Sequence, residues 1–336
     1  MKIIIIGGTG FLGYYAALAA LERGHQVASL SIDDIDLTGW YPAEIEVRFG
    51  NVFTMTPDEM RRALTGYDAL IYSVGPDDRV TPPAPAYDFF YDKLVRKPTA
   101  LFNAAREAGI QRSVVLNSYF ASFDKLRPEL KLAEKHPYIK VRVEQAKALI
   151  ACGTSPNGEQ TMDVMVLQLP YIFGTMPHRV PIWKGVFIER FFRYPVIFFP
   201  GGGTAMITAE HVGEAAVGAL EHGTHGERYP IGDENHPFRF MLEHMQIGLG
   251  LKKPIWTVGS RIATWGASAI ARANRRKGLE SGLNMKHLMQ DIMSRNFYIE
   301  NVDAISSLLN YGRGGVAEAI RETVRACYPE GFKNRA

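Results

Sequence analysis

Met1-Lys2-Ile3-Ile4-Ile5-Ile6-Gly7-Gly8-Thr9-Gly10-Phe11-Leu12-Gly13 opens the chain. Residues 1–6 are a short apolar run of β-branched side chains, which reads as a buried strand. Glycines follow at 7, 10 and 13, and residues 14–23 (YYAALAALER) read as a helix. Strand, glycine turn and helix in that order are what a dinucleotide pyrophosphate needs. Gly7 allows the tight turn, Gly10 lets backbone approach a phosphate, and Gly13 lets the helix pack on the strand. The helix N-terminus then faces the negative charge. The spacing is G-x-x-G-x-x-G, not the commoner dehydrogenase G-x-G-x-x-G. An ordinary βα turn is the alternative, and the strand–turn–helix context weighs against it.

The chain has 336 residues, enough for one large domain or two. Its 46% hydrophobic and 22% charged residues are those of an ordinary globular protein. A net charge of +3, from 38 basic and 35 acidic residues, argues against a dedicated nucleic-acid or polybasic membrane surface. Cys152 and Cys327 stand alone, with no zinc spacing and no disulfide framework, so a reducing, cytoplasmic setting is expected. The isoleucine run is too short for a secretory signal. No stretch has 18 uninterrupted apolar residues, so no transmembrane helix is expected. Residues 255–271 (IWTVGSRIATWGASAIA) form the most apolar long stretch and run into Arg272, Arg275, Arg276 and Lys277. A buried helix with a solvated basic end is favoured there over an interfacial helix.

Further along, residues 26–31 (QVASLS) read as a second strand. Its end is where an acidic residue takes the adenosine ribose hydroxyls in dinucleotide folds. Ser31 stands there, with Asp33 and Asp34 just beyond. The carboxylates would repel a 2′-phosphate and favour NAD, whereas Ser31 favours NADP, so the choice stays open. A third strand is read at 46–49, and a helix at 56–64 with a Thr56 cap and Pro57 in its first turn. A fourth strand is read at 68–74, a Pro- and Asp-rich loop at 76–88, a helix at 97–108 and a fifth strand at 112–117, leading to Ser118. This alternation implies an α/β, Rossmann-like, doubly wound parallel sheet.

These segments together resemble the extended short-chain dehydrogenase/reductases, the NAD-dependent epimerase/dehydratase family. The resemblance rests on GGTGFLG (7–13), GNV (50–52), TGYDALIYSVG (65–75), AAREAGIQRSVVLNS (104–118), QLPYIFG (168–174) and ITAEHVGEAAVGALEHG (207–223). It implies an NAD or NADP cofactor held by Gly7, Thr9, Gly10, Phe11, Leu12, Gly13, Ser31, Asn51, Val52, Ser73, Val74, Gly75 and Pro170. It also implies a nucleotide domain over 1–174, re-entered at about 204–234, and a smaller C-terminal substrate-binding lobe from 175–203 and 235–336. Members of the family often dimerise through helices beside the sheet, so a homodimer is one expectation.

The family's chemistry uses a Ser or Thr, a Tyr and a Lys four residues after the Tyr. Hydride moves between the nicotinamide and a carbon bearing oxygen, so a proton must move on that oxygen. A cation lowers the pKa of the tyrosine, and one helical turn puts the two on one face. Ser118 and Tyr138 fit their roles, but the residue four on is Arg142. Lys140 and Lys147 lie on other sides of the helix and do not replace it cleanly. Three readings follow. Ser118–Tyr138–Arg142 works as a variant triad; or another group moves the proton; or the chain binds dinucleotide without chemistry, as a sensor or scaffold. Tyr119 and Phe120 stand where dehydratases of the family carry Asp-Glu, which disfavours dehydration and leaves reduction, oxidation or epimerisation. Gln168 stands where the family commonly has arginine.

Beyond residue 174 the alternation thins. Trp183, Lys184, Arg190 and Arg193 could meet an anionic or aromatic substrate, although a plain amphipathic helix over 176–193 is the favoured reading. Helices are expected at 238–250, 284–300 and 316–326. The histidines show no metal spacing and read as solvated or capping. The expectation for partners is a small-molecule substrate, with a nucleotide-sugar-like one among the candidates, and no nucleic acid.

Overall fold

The computed structural model describes residues 1–32 and 35–332. Asp33 and Asp34, weighed above for the ribose, lie outside the described residues.

The strands in chain order are β1 (Lys2–Ile6), β2 (Gln26–Ser31), β3 (Glu46–Phe49), β4 (Ala69–Tyr72), β5 (Arg112–Ser118), β6 (Asp163–Leu169), β7 (Tyr171–Phe173), β8 (Ile197–Pro200), β9 (Gly203–Thr208), β10 (Arg228–Pro230), β11 (Glu234–Pro237), β12 (Ile255–Val258) and β13 (Asn296–Phe297). Seven of them form one parallel sheet in the order β10-β6-β5-β4-β1-β2-β3. The order reverses beside β1, where β2 lies on one side and β4 on the other. A crevice opens at the carboxyl ends of the strands at such a switch point. Ile3 to Ile6 are fully buried because helices cover both faces, which is why β1 is continuously apolar rather than alternating.

The principal helices are α1 (Phe11–Glu22), α2 (Pro57–Leu64), α3 (Lys97–Glu107), α4 (Pro137–Ala151), α5 (Ala209–His222), α6 (Phe238–Leu249), α7 (Ser260–Arg276) and α8 (Val316–Cys327). α2 starts on a capping box: the Thr56 hydroxyl accepts from the Glu59 N–H, and the Glu59 carboxylate accepts from the Thr56 N–H at 2.7 Å. α1 and α5 cover one face of the sheet with small side chains. Ala16, Ala17 and Ala20 of the first meet Ala215, Ala216 and Ala219 of the second in a single core cluster. Over the carboxyl ends of the strands sits a second layer, in which β9 pairs with β11, β13 and β7. A separate parallel pair, β8–β12, lies beside it.

Three expectations are corrected. The segment 76–88 is not all loop, because a helix begins at Ala86 and runs through Asp92–Arg96 into α3. Residues 284–300 are not one helix. Helical turns end at Met293, and Asn296–Phe297 pairs with β9, because a backbone edge there takes the strand. Residues 255–271 are not a buried helix. They split into β12 and the start of α7, and Ala267 is the one buried residue of α7. No helix among the described residues is long and apolar enough to cross a membrane.

Candidate active site

The glycine turn is shaped by backbone as the sequence demands. Gly7 has φ +86°, and a Cβ there would meet Val74 at 2.4 Å. A Cβ on Gly13 would lie 2.1 Å from the Gly7 carbonyl oxygen, so α1 crosses the turn with no room for a side chain. Ser73 locks the turn from the next strand, its hydroxyl donating to Ile6 O at 2.8 Å. Ser31 is buried beneath it. Its Oγ accepts from the Thr9 N–H at 3.2 Å and lies 3.0 Å from Ser29 Oγ. Gly10 is the N-cap of α1 and brings no side-chain hydrogen bond. The first-turn N–H groups are thus left for an anion, and the cradle fits a pyrophosphate.

A cavity of 1570 Å³ runs from this turn along the ends of the strands into the second layer. Gly10, Phe11, Leu12, Ser73, Val74 and Gly75 line its near end. Ser118, Tyr138, Arg142 and Pro170 line its middle. The structure therefore brings these ten sequence-selected residues to one space. Gly7, Thr9, Gly13 and Ser31 lie behind the turn and shape it. Asn51 and Val52 do not line the cavity: Val52 is in the core, and the Asn51 side-chain Oδ1 accepts from the Phe53 N–H at 3.0 Å.

Tyr138 is at the first turn of α4, where Pro137 opens the helix. It is buried, its N–H donates to Gly282 O at 2.9 Å, and its ring meets Phe90 edge-on at 5.3 Å. Arg142, one turn on, donates from Nε to the Tyr138 hydroxyl at 2.9 Å. Its Nη1 donates to Gln145 Oε1 at 2.8 Å and to Leu116 O at 3.3 Å. Asn117 completes the network, donating from Nδ2 to Gln145 Oε1 at 2.9 Å and to Arg142 O at 3.0 Å. Burial pushes the Tyr138 phenol up to about 12, with the Arg142 guanidinium working against it. The expectation that the cation leaves the tyrosine with a lowered pKa is corrected: the guanidinium acts in that direction, and desolvation wins. Ser118 is buried at the end of β5, with its N–H donating to Asn117 Oδ1 at 2.6 Å.

Sequence reasoning missed a group in this cavity. Asp77, Asp78 and Arg79 line it, beside Tyr138 and Arg142. Burial pushes the Asp78 carboxyl up, whereas Arg79 holds Asp77 below its usual value against the cost of burial. A Pro- and Asp-rich loop offers no periodicity that would place these residues; the acidic pair right after the fourth strand was the available signal. Gln168 is buried, its Oε1 accepting from the Ser122 hydroxyl. Residues 176–193 are not a plain amphipathic helix: Trp183 is buried, stacked on Phe173 at 4.6 Å, and Arg179, Val180, Arg190 and Phe191 line the cavity. His211 is not merely a cap, since its Nδ1 is 2.9 Å from the Asp233 carboxylate. No cluster able to hold a metal is found among the described residues.

A family model described as NAD(P)H-binding matches residues 7–155. Vestitone reductase of Medicago sativa is 24% identical over 330 residues, covering 87% of this chain and 94% of that protein. Among solved structures, the protein gox2253 superposes with a TM-score of 0.74 at 20% identity, covering 98% of each chain. UDP-glucose-4-epimerase of Stenotrophomonas maltophila, solved with bound NAD, has a TM-score of 0.65 at 15% identity, again covering 98% of each chain. Residues 7–155 are thus an NAD(P)-binding domain, and along most of its length the chain is similar to reductases and, in fold, to nucleotide-sugar epimerases.

Proposed function

We propose that the chain is an NAD(P)-dependent reductase of a bulky, largely apolar ketone or aldehyde. Residues 1–174 and about 204–234 would take the dinucleotide, and residues 175–203 and 235–336 the substrate. The observation that carries the reading is the Tyr138 phenol, held by Arg142 at 2.9 Å inside the cavity that starts at the glycine turn. The apolar lining beyond it, including Phe187, Phe191, Phe199, Met289 and Met293, supports a substrate with little polar surface. Vestitone reductase, similar along most of this chain, is named for a reduction.

Bound nicotinamide supplies the hydride in this reading. The work of the chain is the proton. Tyr138, neutral across the physiological range because burial holds its pKa at about 12, donates from its hydroxyl to the carbonyl oxygen. The Ser118 hydroxyl positions that oxygen. Arg142 holds the phenol and stabilises the phenolate left behind. Reduction rather than dehydration follows from Tyr119 and Phe120, whose aromatic rings occupy the position after Ser118. Titration of the purified protein with NADH and NADPH, followed by a screen of apolar ketones, tests it. No binding of either form would end this reading.

A second reading, a dinucleotide sensor without turnover, is favoured by one feature. The guanidinium that replaces the lysine is already committed to Gln145 Oε1 and Leu116 O. It predicts tight cofactor binding with no carbonyl-dependent oxidation of NAD(P)H.

A further inference from the structure

We propose that the face built from α7, the β8–β12 pair and the loop at residue 180 docks on an anionic lipid bilayer, with the cavity mouth opening into it. Large apolar side chains stand in solvent here: Trp265 is 82% exposed, Ile262 68%, Trp256 58% and Phe198 52%. The Phe198 and Trp256 rings pack edge-on at 5.6 Å across neighbouring strands. Ile262, Gly266, Ile270 and Phe198 are exposed and also line the cavity, so the apolar patch and the mouth are continuous. Contiguous exposed apolar surface at a pocket entrance marks a place of contact.

Charge identifies the partner. Residues 176–203 and 251–279 carry eleven Lys and Arg against Glu189 alone, a net +10. The other 27 basic and 34 acidic residues leave the rest of the chain at −7. The overall +3 hides this segregation. On α7, Arg261 lies four residues before Trp265 and Arg272 seven after it, on the same side of the helix. Tryptophan flanked by exposed arginines is the composition of a lipid interface, with the ring at headgroup level and the guanidinium on phosphate. A second copy docking through the same face would set its exposed arginines against their own kind, which disfavours a symmetric pair.

The docking surface stands without any reaction. Entry of the substrate from the lipid rests on the reductase reading above. The test is flotation of the full chain with vesicles of phosphatidylcholine alone, and of phosphatidylcholine mixed with phosphatidylglycerol. Binding is expected on the mixed vesicles and is expected to fall with added salt. Trp265→Glu, and separately Arg272→Glu with Arg276→Glu, should each weaken it about tenfold while NAD(P)H affinity stays unchanged. Absence of vesicle binding by folded protein that binds NADH or NADPH overturns the proposal. So does equal binding to both vesicle types, and so does a dimer that Trp265→Glu makes monomeric without vesicle binding. Protein that floats on anionic vesicles but reduces no ketone keeps the surface and loses the reductase reading.

Discussion

Arg142 Nε donates to the hydroxyl of Tyr138 at 2.9 Å, and the same guanidinium donates to Gln145 Oε1 and Leu116 O. One side chain thus steadies the phenol and satisfies two buried acceptors. Lysine would place a point charge near the phenol but cannot span all three partners with a planar fork. Arg142→Lys is expected to keep NAD(P)H binding and to lower unfolding stability by about 1–3 kcal/mol, the cost of a stranded buried acceptor. Urea denaturation beside a cofactor titration checks both halves. An unchanged urea midpoint would mean that the fork bonds carry no net stability.

Tyr138→Phe removes the hydroxyl and keeps the ring that packs on Phe90. Carbonyl reduction should fall by about 10²–10⁴-fold, the range for loss of a positioned acid. NAD(P)H affinity and thermal stability should change little. Turnover at the parent rate would show that the proton comes from elsewhere, with Asp78 the first group to test.

Gly13→Ala places a methyl where the Gly7 carbonyl oxygen stands 2.1 Å away. Either α1 moves off the turn or the turn opens, and both remove the cradle. A stability loss of about 1–3 kcal/mol is expected from overpacking. NAD(P)H binding should weaken by more than tenfold, read by calorimetry on protein that remains folded.

The first thirteen residues disclosed so much because each constraint there is local. Four isoleucines need two covered faces, Gly7 needs a positive φ, and Gly10 and Gly13 sit where backbone meets backbone. The Tyr138–Arg142 spacing was legible for the same reason, since a helical turn is fixed by the chain itself. The pKa of Tyr138 was not, because it is set by burial against neighbours remote in sequence such as Phe90, with Asp78 and Asp77 adding to it. Asp77, Asp78 and Arg79 follow β4 in an irregular loop, and only the return of α4 beside them makes them part of the site. The stretch 255–271 misled for a physical reason. Its apolar content is real, but burial depends on what covers a helix, and α7 buries little more than Ala267 while its other apolar residues face the cavity mouth or solvent. Net charge misled likewise, since a sum of +3 says nothing of where the charges lie.

The position of the Tyr138 pKa predicts an asymmetry between the two directions of the reaction. With its pKa pushed up to about 12 by burial, the phenol is protonated throughout the working range. An acid that is always protonated gives a flat profile, so reductive kcat/KM should not vary between about pH 6 and pH 9. Alcohol oxidation needs the phenolate, whose fraction below the pKa grows about tenfold per pH unit, so oxidative kcat/KM should rise across the same window. Arg142 favours the phenolate, since it opposes the upward push of burial. Replacing it with methionine removes that opposition, moves the pKa higher and should depress the oxidative rate at every pH while leaving its slope unchanged. A reductive profile that falls between pH 6 and pH 9 would place the operative acid well below Tyr138. The half-buried Asp78 carboxyl, itself displaced upward, would then be the group to replace.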